Sequence, residues 1–134
     1  YKRQLNDFID AELARQNLTA DKLALVGFSQ GTMMSLFVGP RRERQIAGIV
    51  GYSGRLIAPD LLPREIKTKP PVTLLHGAAD EIVPPQSLDM AVAGLATAGI
   101  NADHEMRAGL GHSIDERGLV VGGAFLKRVL GVTE

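Results

Sequence analysis

The sequence contains no cysteine and carries no net charge, and each absence excludes a class of protein. Without cysteine there is no disulfide scaffold, no thiolate zinc site and no cysteine nucleophile. The balance of 15 Lys and Arg against 15 Asp and Glu argues against a nucleic-acid-binding protein, which needs a basic face. No apolar run approaches the roughly 18 residues of a membrane span, so we expect no stable membrane insertion. A chain without cysteine also suits a reducing compartment, and we expect a cytoplasmic location.

The chain does have enough apolar sequence for one domain, since 45% of its 134 residues are hydrophobic. Segments that predict strands, three of them apolar and the fourth weaker and alternating as expected near a sheet edge, alternate with segments of helical periodicity. The predicted strands are residues 23–28 (from Leu23 to Phe28), 46–52, 72–76 and 102–107. The first of them has no polar alternation, which is typical of a strand buried on both faces of a parallel sheet.

Helical segments lie around and between these strands. A first helix is indicated by apolar residues at helical spacing: Leu5, Phe8, Ile9 and Leu13. Further helices are predicted at residues 32–38, in the segment opened by Pro84-Pro85 and closed by Gly99, and at 115–130. The charged cluster at 41–44 favours a solvated connector. This alternation predicts an α/β fold, a doubly wound sheet of about four parallel strands with flanking helices.

Residues 27–31 read Gly-Phe-Ser-Gln-Gly, a G-x-S-x-G pattern between a predicted strand and a predicted helix. A nucleophile elbow belongs at this position, because a tight turn there exposes a serine hydroxyl at the carboxyl end of the sheet. Glycines two positions before and after Ser29 let the strand and the helix pack closely. The backbone N–H of Gln30, at the helix N-terminus, is placed to face an oxyanion. An ordinary glycine-rich turn with Ser29 as a helix cap is the alternative.

A serine hydroxyl is a poor nucleophile near neutral pH and needs a base, which a carboxylate in turn orients. Three histidines are available. His76 ends an apolar run, which favours a structural place in the core. His104 lies between two acidic residues in an alternating strand, which indicates an exposed position. His112 lies in a glycine-rich loop after the last strand, again at the carboxyl edge, and is the predicted base.

The predicted acid is Asp80, in the loop after the third strand. The other aspartates considered fall in predicted helices, connectors or surface positions: Asp60, Asp89, Asp103 and Asp115. The order Ser29, Asp80, His112 is the chain order of the triad in α/β-hydrolases, and all three residues follow strand ends.

Three segments together resemble the phospholipase/carboxylesterase family of α/β-hydrolases, which includes bacterial carboxylesterases and acyl-protein thioesterases. They are Gly-Phe-Ser-Gln-Gly at 27–31, His-Gly-x-x-Asp-x-x-Val-Pro at 76–84 and Gly-Leu-Gly-His at 109–112. The resemblance covers essentially the whole chain. It implies Ser29 as nucleophile, His112 as general base and acid, and Asp80 as the orienting carboxylate. It also implies Gln30 as an oxyanion donor through its backbone N–H.

The same resemblance implies a small-molecule ester or thioester as substrate and an acyl pocket. The residues expected to line that pocket are Leu56, Ile57, Ile82 and Val83. No cofactor is expected. Three scattered histidines without cysteine provide no metal-ligand spacing, so no metal site is expected either. Related dienelactone hydrolases carry cysteine at the elbow, so Ser29 argues against that group.

The chain departs from the family's pattern before Ser29. Such hydrolases carry a His-Gly-rich loop after an early strand, which supplies a second oxyanion N–H, but only one predicted helix and one predicted strand precede Ser29. We therefore expect residues 1–134 to be a single α/β-hydrolase domain that is N-terminally incomplete, the C-terminal part of the fold without its N-terminal strands. The strand from Leu23 to Phe28 then becomes an exposed edge.

Three functions remain open at this stage. The first is a serine carboxylesterase that works through an acyl-enzyme intermediate. The second is an incomplete hydrolase, inactive alone or completed by another chain that pairs along the edge from Leu23 to Phe28. The third is a degenerate hydrolase used as an interaction module.

Overall fold

Four parallel strands form one sheet in the computed structural model, which describes residues 2–132. They lie side by side in chain order: β1 (Ala24–Phe28), β2 (Gly48–Tyr52), β3 (Val72–Gly77) and β4 (Asp103–Arg107). All four predicted strands are confirmed, with small differences at their ends. Because the strands are parallel, their carboxyl ends lie in a row along one edge of the sheet. The order of the described strands shows no reversal.

Five helices are found in residues 2–132: α1 (Lys2–Gln16), α2 (Gln30–Val38), α3 (Leu62–Glu65), α4 (Gln86–Thr97) and α5 (Glu116–Leu130). The single turn α3 was not predicted from the sequence. The Asp115 side chain caps α5 by accepting a hydrogen bond from the Gly118 N–H at 2.8 Å. Gly131, in the left-handed conformation with φ +71°, ends it. Among the described residues, no helix is long and apolar enough to cross a membrane.

The core has two parts, one on each face of the sheet. In β2 and β3, successive side chains point to opposite faces, so Ile49 and Leu74 join the larger cluster while Val50 and Leu75 join the smaller. Helices α2 and α4 cover the larger cluster, and α5 covers the smaller through Phe125. The centre of the sheet is therefore packed on both faces, and the strand ends beyond it lead into the loops.

The prediction that residues 23–28 are buried on both faces is wrong. On one face Leu25 packs against the larger cluster, but on the other Val26 is 57% exposed and Phe28 39% exposed. The reason is that α5 packs mainly against β2 and less against β1. Within the described residues β1 pairs with β2 alone, so its other edge is open.

The arginine cluster after α2 is more buried than a solvated connector would be. The Arg42 side chain is 10% exposed and donates hydrogen bonds to Asn6 at 2.9 Å and to Asp10 at 2.8 Å, both in α1. The Arg41 side chain donates to Glu65 in α3 at 2.8 Å and to the Phe37 carbonyl at 3.0 Å. These two residues therefore tie α1 and α3 to the end of α2, which corrects the expectation.

Candidate active site

Ser29 occupies the turn between β1 and α2 with φ +55° and ψ −113°. A positive φ is strained for a residue with a side chain, and such strain is typical of a nucleophile elbow. A Cβ at Gly27 would collide with the backbone of Gly31 and Thr32, so the close crossing of β1 and α2 requires glycine there. A Cβ at Gly31 would meet no heavy atom within 4 Å, so nothing in the described residues requires glycine at that position.

His112 lies between Ser29 and Asp80. Its Nε2 is 3.1 Å from the Ser29 hydroxyl oxygen, and its Nδ1 is 2.8 Å from Oδ2 of Asp80. Because an ionised carboxylate only accepts, Nδ1 carries the hydrogen and Nε2 is free to accept the serine proton. Ser29 makes no side-chain cap to α2, so its hydroxyl hydrogen-bonds to the imidazole and not to the helix. The structure thus brings all three predicted triad residues within hydrogen-bonding distance.

The Asp80 carboxylate is fully buried, with a side-chain exposure of 0%. Its Oδ1 accepts the backbone N–H groups of Ile82 and Val83, both at 2.8 Å. Burial alone would raise the pKa of Asp80, but the hydrogen bonds from His112, Val83 and Ile82 outweigh it and hold that pKa below its ordinary value. Asp80 is therefore ionised near neutral pH and can fix the orientation of the imidazole ring.

The loops that carry Asp80 and His112 are joined by their backbones. Ala78 N–H donates to the Arg107 carbonyl at 2.9 Å, and Ala79 N–H donates to the Leu110 carbonyl at 2.8 Å. Two backbone hydrogen bonds consequently connect the end of β3 to the end of β4 and the loop after it. This arrangement holds the acid and the base in register before any substrate binds.

Phe28 lies beside the site, and the sequence did not predict this contact. Its ring centroid is 4.8 Å from that of His112, with the two planes inclined at 48°. Phe28 therefore packs against the imidazole and restricts its rotation. The only signal in the sequence is its place immediately before Ser29, on the strand face that points away from Leu25.

Gln30 is the first residue of α2, and its backbone N–H belongs to the unpaired amides at the helix N-terminus. The helix dipole adds to the positive potential there, so an oxyanion formed beside Ser29 is favoured. The Gln30 side chain also borders a groove of about 510 Å³ along the open edge of β1, together with Val26 and Met34.

The four residues expected to line an acyl pocket differ in their exposure. Leu56, 9% exposed, belongs to the larger core cluster, and Val83 is 3% exposed. Ile57 is half-buried and Ile82 is 69% exposed, so these two keep accessible side chains. All four stay predicted substrate contacts.

The other two histidines lie where the sequence indicated. His104, in β4, is exposed, and His76, in β3, is buried with 2% exposure. In residues 2–132 no group of three or more His, Asp or Glu side chains is arranged to hold a metal ion.

The fold is that of the α/β-hydrolases. It matches the crystal structure of esterase PE8 with a TM-score of 0.90 at 39% identity, over 94% of this chain and 59% of that one. The sequence profile of the phospholipase/carboxylesterase family matches residues 1–130, and the chain belongs to that family.

Two relatives show how far the likeness extends. Acyl-protein thioesterase 1 of Schizosaccharomyces pombe is 38% identical over 84 residues, which are 60% of this chain and 37% of the relative. Esterase YpfH of Escherichia coli is 29% identical over 100 residues, 75% of this chain and 42% of the relative. The chain thus spans about half the length, or less, of the curated relatives that it matches.

Proposed function

We propose that this chain carries the catalytic triad of a serine hydrolase that cleaves carboxylic esters or thioesters. The observation that carries the proposal is the continuous row of hydrogen bonds from Ser29 through His112 to Asp80, at 3.1 and 2.8 Å. Membership of the phospholipase/carboxylesterase family supports the reaction class. Relatives named as a thioesterase and an esterase support the choice of carboxylic ester or thioester.

The geometry supports a two-step reaction. Ser29 Oγ attacks the acyl carbon while its proton passes to His112 Nε2, and Asp80 stabilises the imidazolium that forms. The negative charge on the acyl oxygen is stabilised by the Gln30 N–H. His112 then gives its proton to the departing alkoxide or thiolate, which leaves an acyl ester on Ser29. In the second step water attacks this ester and His112 removes the proton of the water. His112 returns that proton to Ser29 Oγ as the acyl–oxygen bond breaks, which releases the carboxylic acid and regenerates free Ser29.

A fluorophosphonate probe and a short-chain p-nitrophenyl ester test the proposal on the full chain. We expect the probe to label the wild type and the ester to be hydrolysed, while Ser29→Ala does neither. Ser87→Ala, at the start of α4, is the matched control and should behave as the wild type. Labelling of Ser29→Ala at the wild-type rate would contradict the proposal.

A second proposal concerns the open edge of β1. Val26 is 57% exposed there, beside the groove of about 510 Å³, and the chain spans about half the length of its relatives. We propose that residues 1–134 form one α/β-hydrolase unit whose β1 pairs with a further strand, in the same or in another polypeptide. On this proposal the isolated unit, with the Gln30 N–H as its one assigned oxyanion donor, turns over substrate more slowly by on the order of 10²–10³-fold or serves as an interaction module.

Sedimentation and turnover of the isolated unit test this second proposal. We expect slow turnover together with self-association, and we expect Val26→Lys to weaken the association because a charge on an edge strand opposes pairing. Full turnover by a monomer of residues 1–134 would exclude it. A cytoplasmic location stays a prediction.

A further inference from the structure

His76 contacts both the carboxylate and the backbone of the loop that follows β3. Its Nε2 lies 2.9 Å from the Val83 carbonyl oxygen and 3.3 Å from Oδ2 of Asp80. A carbonyl oxygen only accepts hydrogen bonds, so Nε2 must carry the hydrogen. The hydrogen bond is made to Val83, and the same nitrogen lies close enough to the carboxylate for an electrostatic contact.

These contacts complete a closed ring of interactions around Asp80. Val83 donates its N–H to Oδ1 of Asp80 at 2.8 Å, and its carbonyl accepts from His76. His76 in turn faces Oδ2, the same oxygen that accepts from His112 at 2.8 Å. Two imidazoles, one from β3 and one from the loop after β4, therefore approach one carboxylate oxygen.

The ring has a rigid base, because His76 lies in β3, which is paired with β2 on one side and β4 on the other. We infer that His76 is a positioning residue for the triad: it closes the turn from Asp80 to Val83 and fixes the orientation of the carboxylate that holds His112. This inference rests on the proposed function. It assigns to a buried core histidine a role that a purely apolar side chain of similar size could not perform.

Two substitutions separate positioning from packing. His76→Leu fills the space but removes the N–H donor, whereas His76→Gln retains a side-chain N–H donor close to the place of Nε2. His104→Leu, at an exposed histidine of β4, is the matched control. The measurement is the rate of fluorophosphonate labelling of the full chain, with the thermal midpoint of each variant recorded beside it.

We expect His76→Leu to slow labelling by about 10-fold or more, yet by less than the roughly 10⁴-fold that follows loss of the carboxylate itself. His76→Gln should recover most of the rate, and His104→Leu should match the wild type. Equal rates for His76→Leu and the wild type would overturn the inference. So would Leu and Gln variants that are equally slow at unchanged thermal midpoints, because packing alone would then explain the effect.

Nuclear magnetic resonance provides a readout that does not depend on activity. In the wild type, long-range proton–nitrogen correlation should show His76 as the tautomer protonated at Nε2, and protonation at Nδ1 alone would overturn the inference. The Nδ1 proton of His112 should shift in His76→Leu and stay near its wild-type position in His76→Gln. If His76→Leu does not fold, the tautomer of His76 in the wild type and the labelling rate of His76→Gln test the inference instead. If the wild type is not labelled at all, the proposed esterase function is contradicted. The spectra still test whether His76 positions Asp80 and His112.

Discussion

Gly77 lies directly against the loop that carries His112, and a Cβ at position 77 would overlap the carbonyl oxygens of Leu110 and Gly111. Gly77 is also the last residue of β3, three positions before Asp80. The close approach of these two backbones therefore sets the distance between the acid and the base. Glycine is the only residue that allows it without a shift of one loop.

Substitution Gly77→Ala should consequently disturb both stability and the site. We expect a loss of about 1–3 kcal/mol in the free energy of unfolding, because the extra methyl group forces the two loops apart. Fluorophosphonate labelling should slow by about 10-fold or more, since a small misplacement of catalytic groups has large effects. Urea unfolding and labelling rates measure the two effects.

The control for this substitution is Gly123→Ala in α5, where a Cβ would meet no heavy atom within 4 Å. Alanine there should stabilise the helix by about 0.5–1 kcal/mol and leave labelling unchanged. A Gly77→Ala variant as stable and as reactive as the wild type would contradict the close approach.

Removal of the aromatic ring at Phe28 should loosen His112 without unfolding the protein. An aromatic contact is worth about 0.5–1.5 kcal/mol, so Phe28→Ala should slow labelling by roughly 2- to 12-fold. Val26→Ala removes an exposed side chain from the same face of the same strand and is the control. If the two variants lower the labelling rate equally, the ring does not act on His112.

Replacement of the buried carboxylate should remove most of the reactivity. In Asp80→Asn, the amide can donate a hydrogen bond to Nδ1 of His112 and so favour the tautomer that cannot accept the serine proton. We expect labelling and ester hydrolysis to fall by up to about 10⁴-fold. Asp60→Asn, at an exposed position in the connector before α3, should leave both rates unchanged. Retention of more than about a tenth of the activity by Asp80→Asn would argue against its role.

The stability of the protein should fall in acid, in part because of the same carboxylate. The pKa of Asp80 is lowered in the folded state, below the value of about 3.9 for an unfolded chain. The contribution of Asp80 to the free energy of unfolding is therefore fully present above about pH 4. It is lost as the pH falls through the lowered pKa of the folded state. Asp80→Asn should make the free energy of unfolding change less between about pH 6 and about pH 3.

Other carboxylates, Glu105 and Asp115 among them, contribute to the remaining acid sensitivity. Arg117 and Arg107 lower the pKa of Glu105, and Arg107 and the Gly118 N–H lower that of Asp115. The Asp80→Asn variant should consequently lose stability in acid to a smaller extent than the wild type, not become insensitive. Denaturant titrations of both proteins at the two pH values measure this difference, and equal losses would contradict the prediction.

Much of the fold could be predicted because β1, β2 and β3 are short apolar runs bounded by connectors and β4 follows at the same spacing. The exposure of Val26 and Phe28 could not, since it depends on which helix covers the far face of β1 and not on the residues of β1. The burial of Arg42 was missed for a similar reason. Its partners Asn6 and Asp10 lie 36 and 32 residues away in the chain.

The candidate site was likewise predicted only in part from the sequence. Ser29, Asp80 and His112 could be predicted because each follows a strand end, and parallel strands bring such ends to one edge. The contacts of His76 with Asp80 and of Phe28 with His112 depend on side-chain directions that no spacing in the sequence reveals. Leu56 and Val83 were expected near substrate. Leu56 packs beside Gly94 of α4, and both side chains have low exposure, which depends on neighbours distant in the chain.

The carboxyl and amino ends of the parallel strands lie on opposite sides of the molecule, and only the carboxyl side carries the candidate site. Ser29, Asp80 and His112 all follow carboxyl ends of strands, whereas the exposed connector at residues 43–45 leads into the amino end of β2. A change of length there alters surface backbone and leaves the chemistry untouched. A peptide tag or a fused module inserted between Glu43 and Arg44 would thus lie on the side of the protein opposite to Ser29. That connector is therefore a suitable attachment point for engineering.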